Sequence, residues 1–63
     1  MKQAVLARVP GATEQDIREW EFDRDDGRYE YEGEIIYGGY EYEFTIDAST
    51  GHITEWKTEP WRR

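Results

Sequence analysis

Tyr29-Glu30-Tyr31-Glu32-Gly33-Glu34-Ile35-Ile36-Tyr37-Gly38-Gly39-Tyr40-Glu41-Tyr42-Glu43-Phe44-Thr45-Ile46-Asp47 is the stretch on which the fold turns. It reads as two alternating strands joined by the two-residue loop Gly38-Gly39, because a Gly-Gly pair supplies the positive φ angles of a tight hairpin. Once the loop is placed, the register follows by counting. Tyr37 pairs with Tyr40, Ile35 with Tyr42, Gly33 with Phe44 and Tyr31 with Ile46, all on one face. The opposite face then carries Glu30, Glu32, Glu34 and Ile36 against Asp47, Thr45, Glu43 and Glu41.

Upstream, Ile17 to Arg24 also alternates, with Trp20 and Phe22 on one side and Glu19, Glu21 and Asp23 on the other. Asp26-Gly27 is a second two-residue turn signal. Using it pairs Asp25 with Arg28, Phe22 with Tyr31 and Trp20 with Gly33. Both hairpins thus turn the same residues of the shared strand toward the core, which is the signature of a three-stranded meander. Gly33 falls between Trp20 and Phe44. It is read as a glycine under aromatic cover or as room for a helix, with a ligand slot as the minor alternative.

The flanking segments are shorter and less decided. Met1 to Val9 holds helix formers, with Val5, Leu6 and Val9 able to share a face, and Pro10-Gly11 stops it. So short a helix is unstable alone and must dock, and the sheet is the apolar surface on offer. Thr13-Glu14-Gln15-Asp16 reads as a cap with one helical turn. After Asp47, Ala48-Ser49-Thr50-Gly51 forms a loop, with Asp47 free to accept backbone amides. His52 to Lys57 can return as a fourth strand with Ile53 inward. Strict alternation then turns Trp56 outward, unless a bulge brings it back. Pro60 closes any strand, so residues 58–63 are read as a tail or the start of a linker. The predicted fold class is α+β, a short N-terminal helix packed on one face of a three- to four-stranded antiparallel meander. The predicted core is Trp20, Phe22, Tyr31, Ile35, Tyr42, Phe44, Ile46 and Ile53.

Composition narrows the function classes. The chain has 63 residues, enough for one small domain, and no cysteine. Its formal charge is −7, and thirteen acids against three bases lie between Glu14 and Asp47. Such a surface repels phosphate, so nucleic acid is not an expected partner, and a basic protein surface or cations fit better. The longest apolar run, Ala4-Val5-Leu6-Ala7, is far too short to insert in a membrane.

Catalysis is not expected. General acid–base work needs two carboxylates in distinct environments, and these alternate on one exposed face with nothing to separate them. The single histidine, His52, sits beside a turn, and no nucleophile–base set can be assembled. Asp23-Arg24-Asp25-Asp26-Gly27 resembles a calcium loop only superficially, since its glycine comes fifth rather than sixth and the hairpin already explains it. No metal or cofactor is therefore expected. Tyr31, Tyr37, Tyr40 and Tyr42 fall on the core face, which reads as packing rather than a sugar or peptide platform.

These residues together resemble the PepSY domain family. The resemblance rests on a helix ending in Val9-Pro10-Gly11, a strand ending in Asp25-Asp26-Gly27, the Tyr29-Glu30-Tyr31-Glu32 strand and the two-glycine hairpin. Tyr40-Glu41-Tyr42-Glu43-Phe44 and the closing Ile46-Asp47-Ala48-Ser49-Thr50-Gly51-His52-Ile53 complete it. It spans Lys2 to about Trp56, so residues 1–57 are read as a single PepSY-like domain. The family's first helix usually starts earlier, with a serine cap and an alanine before the position of Lys2. Met1 stands there, so the chain looks like a domain cut from a longer protein or a variant with a shortened helix. The resemblance implies a helix on an antiparallel sheet and a non-enzymatic, extracytoplasmic module. PepSY domains occur in propeptides of thermolysin-like metallopeptidases and in secreted, lipoprotein or membrane-anchored bacterial proteins, where they are thought to restrain peptidases or assist their maturation. The family has no catalytic residues to transfer. The positions matching its motif, Tyr42, Asp47, Thr50 and Gly51, read as structural.

Two functions remain open: a protein-binding module acting on a peptidase or another envelope protein, and a structural or self-associating spacer. The candidate partner face is the acidic one, Glu19, Glu21, Glu30, Glu32, Glu34, Glu41 and Glu43. Register arithmetic lines these up in like-charged rows, Glu19–Glu34–Glu43, Glu21–Glu32–Thr45 and Asp23–Glu30–Asp47, which weaken the fold that carries them. A cationic partner would explain such rows, and so would protection against edge-to-edge aggregation. A homodimer, by sheet edge or helix exchange, is also expected, because a short helix cannot cover the whole apolar face and Trp56 and Trp61 lack obvious burial sites.

Overall fold

The hairpin turns set the architecture. Asp26 and Gly27 have φ of 49° and 76°, and Gly38 and Gly39 have 62° and 85°, the paired positive angles of turns whose twist matches the strands they join. In the computed structural model, which describes residues 1–61 with the Asp25 side chain excepted, they connect β1 (Ile17–Asp25), β2 (Arg28–Tyr37) and β3 (Tyr40–Asp47). A fourth strand, β4 (Ile53–Pro60), completes an antiparallel sheet in the order β1-β2-β3-β4. A short helix, α1 (Lys2–Leu6), precedes the sheet.

Every pairing counted from the two turns is present: Trp20 opposite Gly33, Phe22 opposite Tyr31, Asp25 opposite Arg28, and Tyr37 opposite Tyr40 through Tyr31 opposite Ile46. The core lies on the inner face. Ile35, Phe44 and Ile46 are buried, and Val5 and Val9 of the N-terminal segment belong to the same buried cluster. Trp20, Tyr31, Tyr42, Ile53 and Trp56 pack around it and are half-buried. A Cβ on Gly33 would stand 2.5 Å from Phe44 Cζ. The glycine is therefore the floor on which the Phe44 ring rests, and the reading as aromatic cover holds.

Three expectations are corrected. Phe22 is not in the core: it is 56% exposed, stacks on Tyr29 and meets Tyr31 at a tilt, beyond the buried cluster. Tyr37 and Tyr40 share its face but also remain exposed, since they flank the hairpin at the far end of the sheet. The helix ends at Leu6, not Val9. Arg8 and Val9 donate to the carbonyls of Val5 and Leu6 three residues back, and this tighter winding carries the chain toward Pro10.

The fourth strand settles two open points. A register shift between Thr45 and Ile46 sets Glu55 opposite Thr45 but Ile53 opposite Ile46, leaving Thr54 as the extra residue. This bulge turns Trp56 inward, opposite Phe44. The strand also continues past Lys57, with Thr58, Glu59 and Pro60, assigned to the tail by sequence, pairing with Tyr42, Glu41 and Tyr40. Trp61 donates its N–H to the Gly39 carbonyl at 2.8 Å. Arg62 and Arg63, the end of the expected tail, lie outside the described residues.

Phe44 joins Gly33, Trp20 and Trp56 in one contact set. Phe44→Ala should cost about 3–5 kcal/mol, enough to unfold most of so small a domain. A cooperative Phe44→Ala melt with an unchanged midpoint would refute this packing.

Candidate functional site

Strand alternation places one carboxylate after another on the outer face, and the register lines them up across strands. Glu19, Glu34 and Glu43 form one row, Glu21, Glu32 and Thr45 a second, and Asp23, Glu30 and Asp47 a third. Glu41 joins from β3 beside Ile36. All seven candidate residues, Glu19, Glu21, Glu30, Glu32, Glu34, Glu41 and Glu43, therefore share the face on which their register puts them.

Sequence reasoning missed the contribution of β4. Counting strictly from Ile53 sends Glu55 and Lys57 inward, but the bulge at Thr54 reverses them. Lys57 extends the first row opposite Glu43, Glu55 extends the second opposite Thr45, and Glu59 stands opposite Glu41. The usable signal was Trp56 itself. A tryptophan forced outward by strict alternation points to an extra residue in the strand, and that residue moves every polar neighbour with it. Glu55 and Lys57 thereby help to line a shallow concavity of about 290 Å3, floored by Gly33 and Phe44 and walled by Glu19, Glu34 and Glu43 among others.

Among the described residues, two groups of three carboxylates come together here. Oxygens of Glu34, Glu41 and Glu43 lie within 4.8 Å of one another, as do those of Asp23, Glu30 and Glu32. Oxygen-only sets of this kind match the donors that hard cations use. Exposed acidic rows bring carboxylates this close without any ion, so the grouping alone assigns no metal centre. Glu34 is the most perturbed. A hydrogen bond with the Glu41 side chain, which only a protonated carboxyl can donate, pushes its pKa up to about 7. Partial desolvation and the charges of Glu41, Glu19 and Glu43 add to this. Glu32 is also raised, first by desolvation and then by Asp23, Glu30, Glu21 and Glu55. What the face offers chemically is concentrated negative potential and a shared proton, not a nucleophile.

The motif residues act on the chain itself. Asp47 Oδ1 accepts the Ser49 N–H at 2.8 Å, and Thr50 Oγ1 accepts the His52 N–H at 3.1 Å. The Gly51 N–H closes the loop onto the Asp47 carbonyl at 2.7 Å. At the other end, Asp16 Oδ2 accepts the Thr13 N–H at 2.8 Å, so the predicted cap and single turn are present.

The raised acids predict the pH dependence of stability. A carboxyl whose folded pKa exceeds its unfolded value favours folding below the unfolded value, and that contribution is lost as pH rises through the folded one. For Glu34 the window runs from the ordinary carboxyl value of 4.5 to about 7. The melting midpoint should therefore fall between about pH 5 and about pH 8, and added sodium chloride should raise it at the upper end. Glu34→Gln should flatten the profile and raise the midpoint at high pH. A midpoint that salt lowers or leaves unchanged would remove the repulsive rows from the account.

The family model that matches this chain is PepSY, described as "Peptidase propeptide and YPEB domain", over residues 2–57. No curated protein matches, and no solved structure matches. The match reaches from the first residue of α1 into β4 and takes in both hairpins, the acidic rows and the Asp47 loop. The chain belongs to the PepSY domain family.

Proposed function

We propose that the domain is a non-enzymatic protein-binding module that restrains a peptidase, or assists the maturation of a peptidase or another cell-envelope protein, outside the cytoplasm. The family match carries the reading, because the family is described by its place in peptidase propeptides. The partner docks on the outer face of the sheet, where Glu19, Glu34 and Glu43 are aligned in one row, while the helix serves as the cover of the inner face. The arrangement supports this division. Like charges directly opposed across strands each cost about 0.2–1 kcal/mol, and a basic partner surface would turn that repulsion into attraction. The protein would then gain on binding what it forgoes in folding alone.

Titration into a thermolysin-like metallopeptidase tests the reading. The domain should slow peptide cleavage, and Glu19→Lys/Glu34→Lys/Glu43→Lys, which reverses one complete row, should weaken the effect by about tenfold or more. Sodium chloride should weaken it as well. Equal inhibition by the variant would move the docking surface off the outer face. A domain without effect on either activity or maturation would favour the spacer role.

A further inference from the structure

β4 is an end strand of the sheet, and its backbone and side chains together specify what can pair with it. Trp61 donates to the Gly39 carbonyl. By antiparallel alternation the hydrogen-bonded pairs of β3 and β4 are then Glu41–Glu59, Glu43–Lys57 and Thr45–Glu55. The opposite flank of β3 gives the same result. Ala48 donates to the Tyr29 carbonyl, so alternation turns the backbone of Phe44 toward Gly33 and away from Trp56. Trp56 and Thr58 thus direct their N–H and C=O groups into the open edge. Pro60, which has no N–H, falls on that same side, as expected of an edge strand.

The charges on this edge select the occupant. In a self-pairing of β1 centred on Glu21, Glu19 opposes Asp23 and Glu21 opposes itself, and moving the axis to Trp20 or Phe22 still sets acid against acid, so that edge repels its copy. β1 of one copy against β4 of another sets those acids against Glu55, Lys57 and Glu59, with one base among them. Two copies of β4 behave differently. Centred on Lys57, they oppose Lys57 to itself and Glu55 to Glu59. Centred on Thr58, they set Trp56 against Pro60, which cannot donate. Centred on Trp56, they place Glu55 opposite Lys57 of the second copy twice over, and they leave Pro60 outside the paired segment.

We propose that two copies of this chain pair antiparallel along β4 with the two-fold axis at Trp56, forming one continuous eight-stranded sheet. Trp56 exchanges both backbone hydrogen bonds with Trp56 of the second copy, and the two half-buried indoles meet on the inner face. On the outer face, two Glu55–Lys57 pairs join the acidic rows of the two copies. The interface is isologous and closes on itself, so it stops at a dimer. It is independent of any partner on the outer face.

Sedimentation equilibrium of the chain from low micromolar to millimolar concentration tests this, with circular dichroism confirming that each variant is folded. The native chain should reach dimer. Glu55→Lys faces only Thr45 within its own strand pair, so it should fold normally and weaken the dimer by about tenfold or more. Mixing it with Lys57→Glu should restore dimer as a heterodimer, because every cross-copy pair is then again of opposite sign. Glu59→Lys should leave the association intact, since Glu59 meets Ile53 in this register. A native chain that stays monomeric at millimolar concentration overturns the proposal. So does a dimer that survives Glu55→Lys, or one that Glu59→Lys abolishes, which would place the axis at Thr58.

Discussion

The ring of Phe44 rests on Gly33, and the rest of the inner face depends on that contact. Because Gly33 has no side chain, Phe44 can approach the backbone of β2 closely, with Trp20 on one side and Trp56 on the other. Ring contacts then run without a break from Tyr40 through Tyr42, Trp56, Phe44, Trp20, Tyr31 and Phe22 to Tyr29, with successive centroids 5.1 to 6.4 Å apart. Aromatic surfaces bury much area per residue in defined geometries, which suits a domain too small for a deep aliphatic core. The N-terminal segment meets this ladder at both tryptophans, with the Lys2 ammonium 5.4 Å from the Trp20 ring and the Arg8 guanidinium 5.1 Å from that of Trp56. Both cations hold their charge over a ring face, where the aromatic quadrupole attracts it.

The two faces of the sheet oppose each other energetically. Inner-face burial and ring contacts stabilise the fold, whereas the outer rows oppose it, and within them the carboxyls of Glu34 and Glu32 are raised, the first chiefly by its hydrogen bond with Glu41 and the second chiefly by desolvation. Because period-two alternation makes the faces independent, the chain can optimise one and load the other with charge without disturbing the register. Lys57 and Glu55 lie at the border of these rows and on the open edge at once. Residues that end the acidic field are thus also the ones that decide what may extend the sheet.

The sequence by itself determined most of the fold. Asp26-Gly27 and Gly38-Gly39 are turn signals with a definite loop length, so the pairings of β1, β2 and β3 followed by counting, and with them the acidic rows and the inward position of Phe44. What counting could not reach was decided by tertiary structure. A bulge depends on how a strand best packs against its neighbour, so the extra residue at Thr54, the inward turn of Trp56 and the outward turn of Glu55 and Lys57 were not written in local pattern. Extension of β4 through Pro60 has the same origin: on an edge with its nitrogen side facing solvent, a proline does not end the ladder. Phe22 alternates like a core residue yet stays exposed, because alternation gives a side chain its face but not its cover. Cover comes from which part of the inner face Val5 and Val9 reach, and that is a property of the folded chain alone.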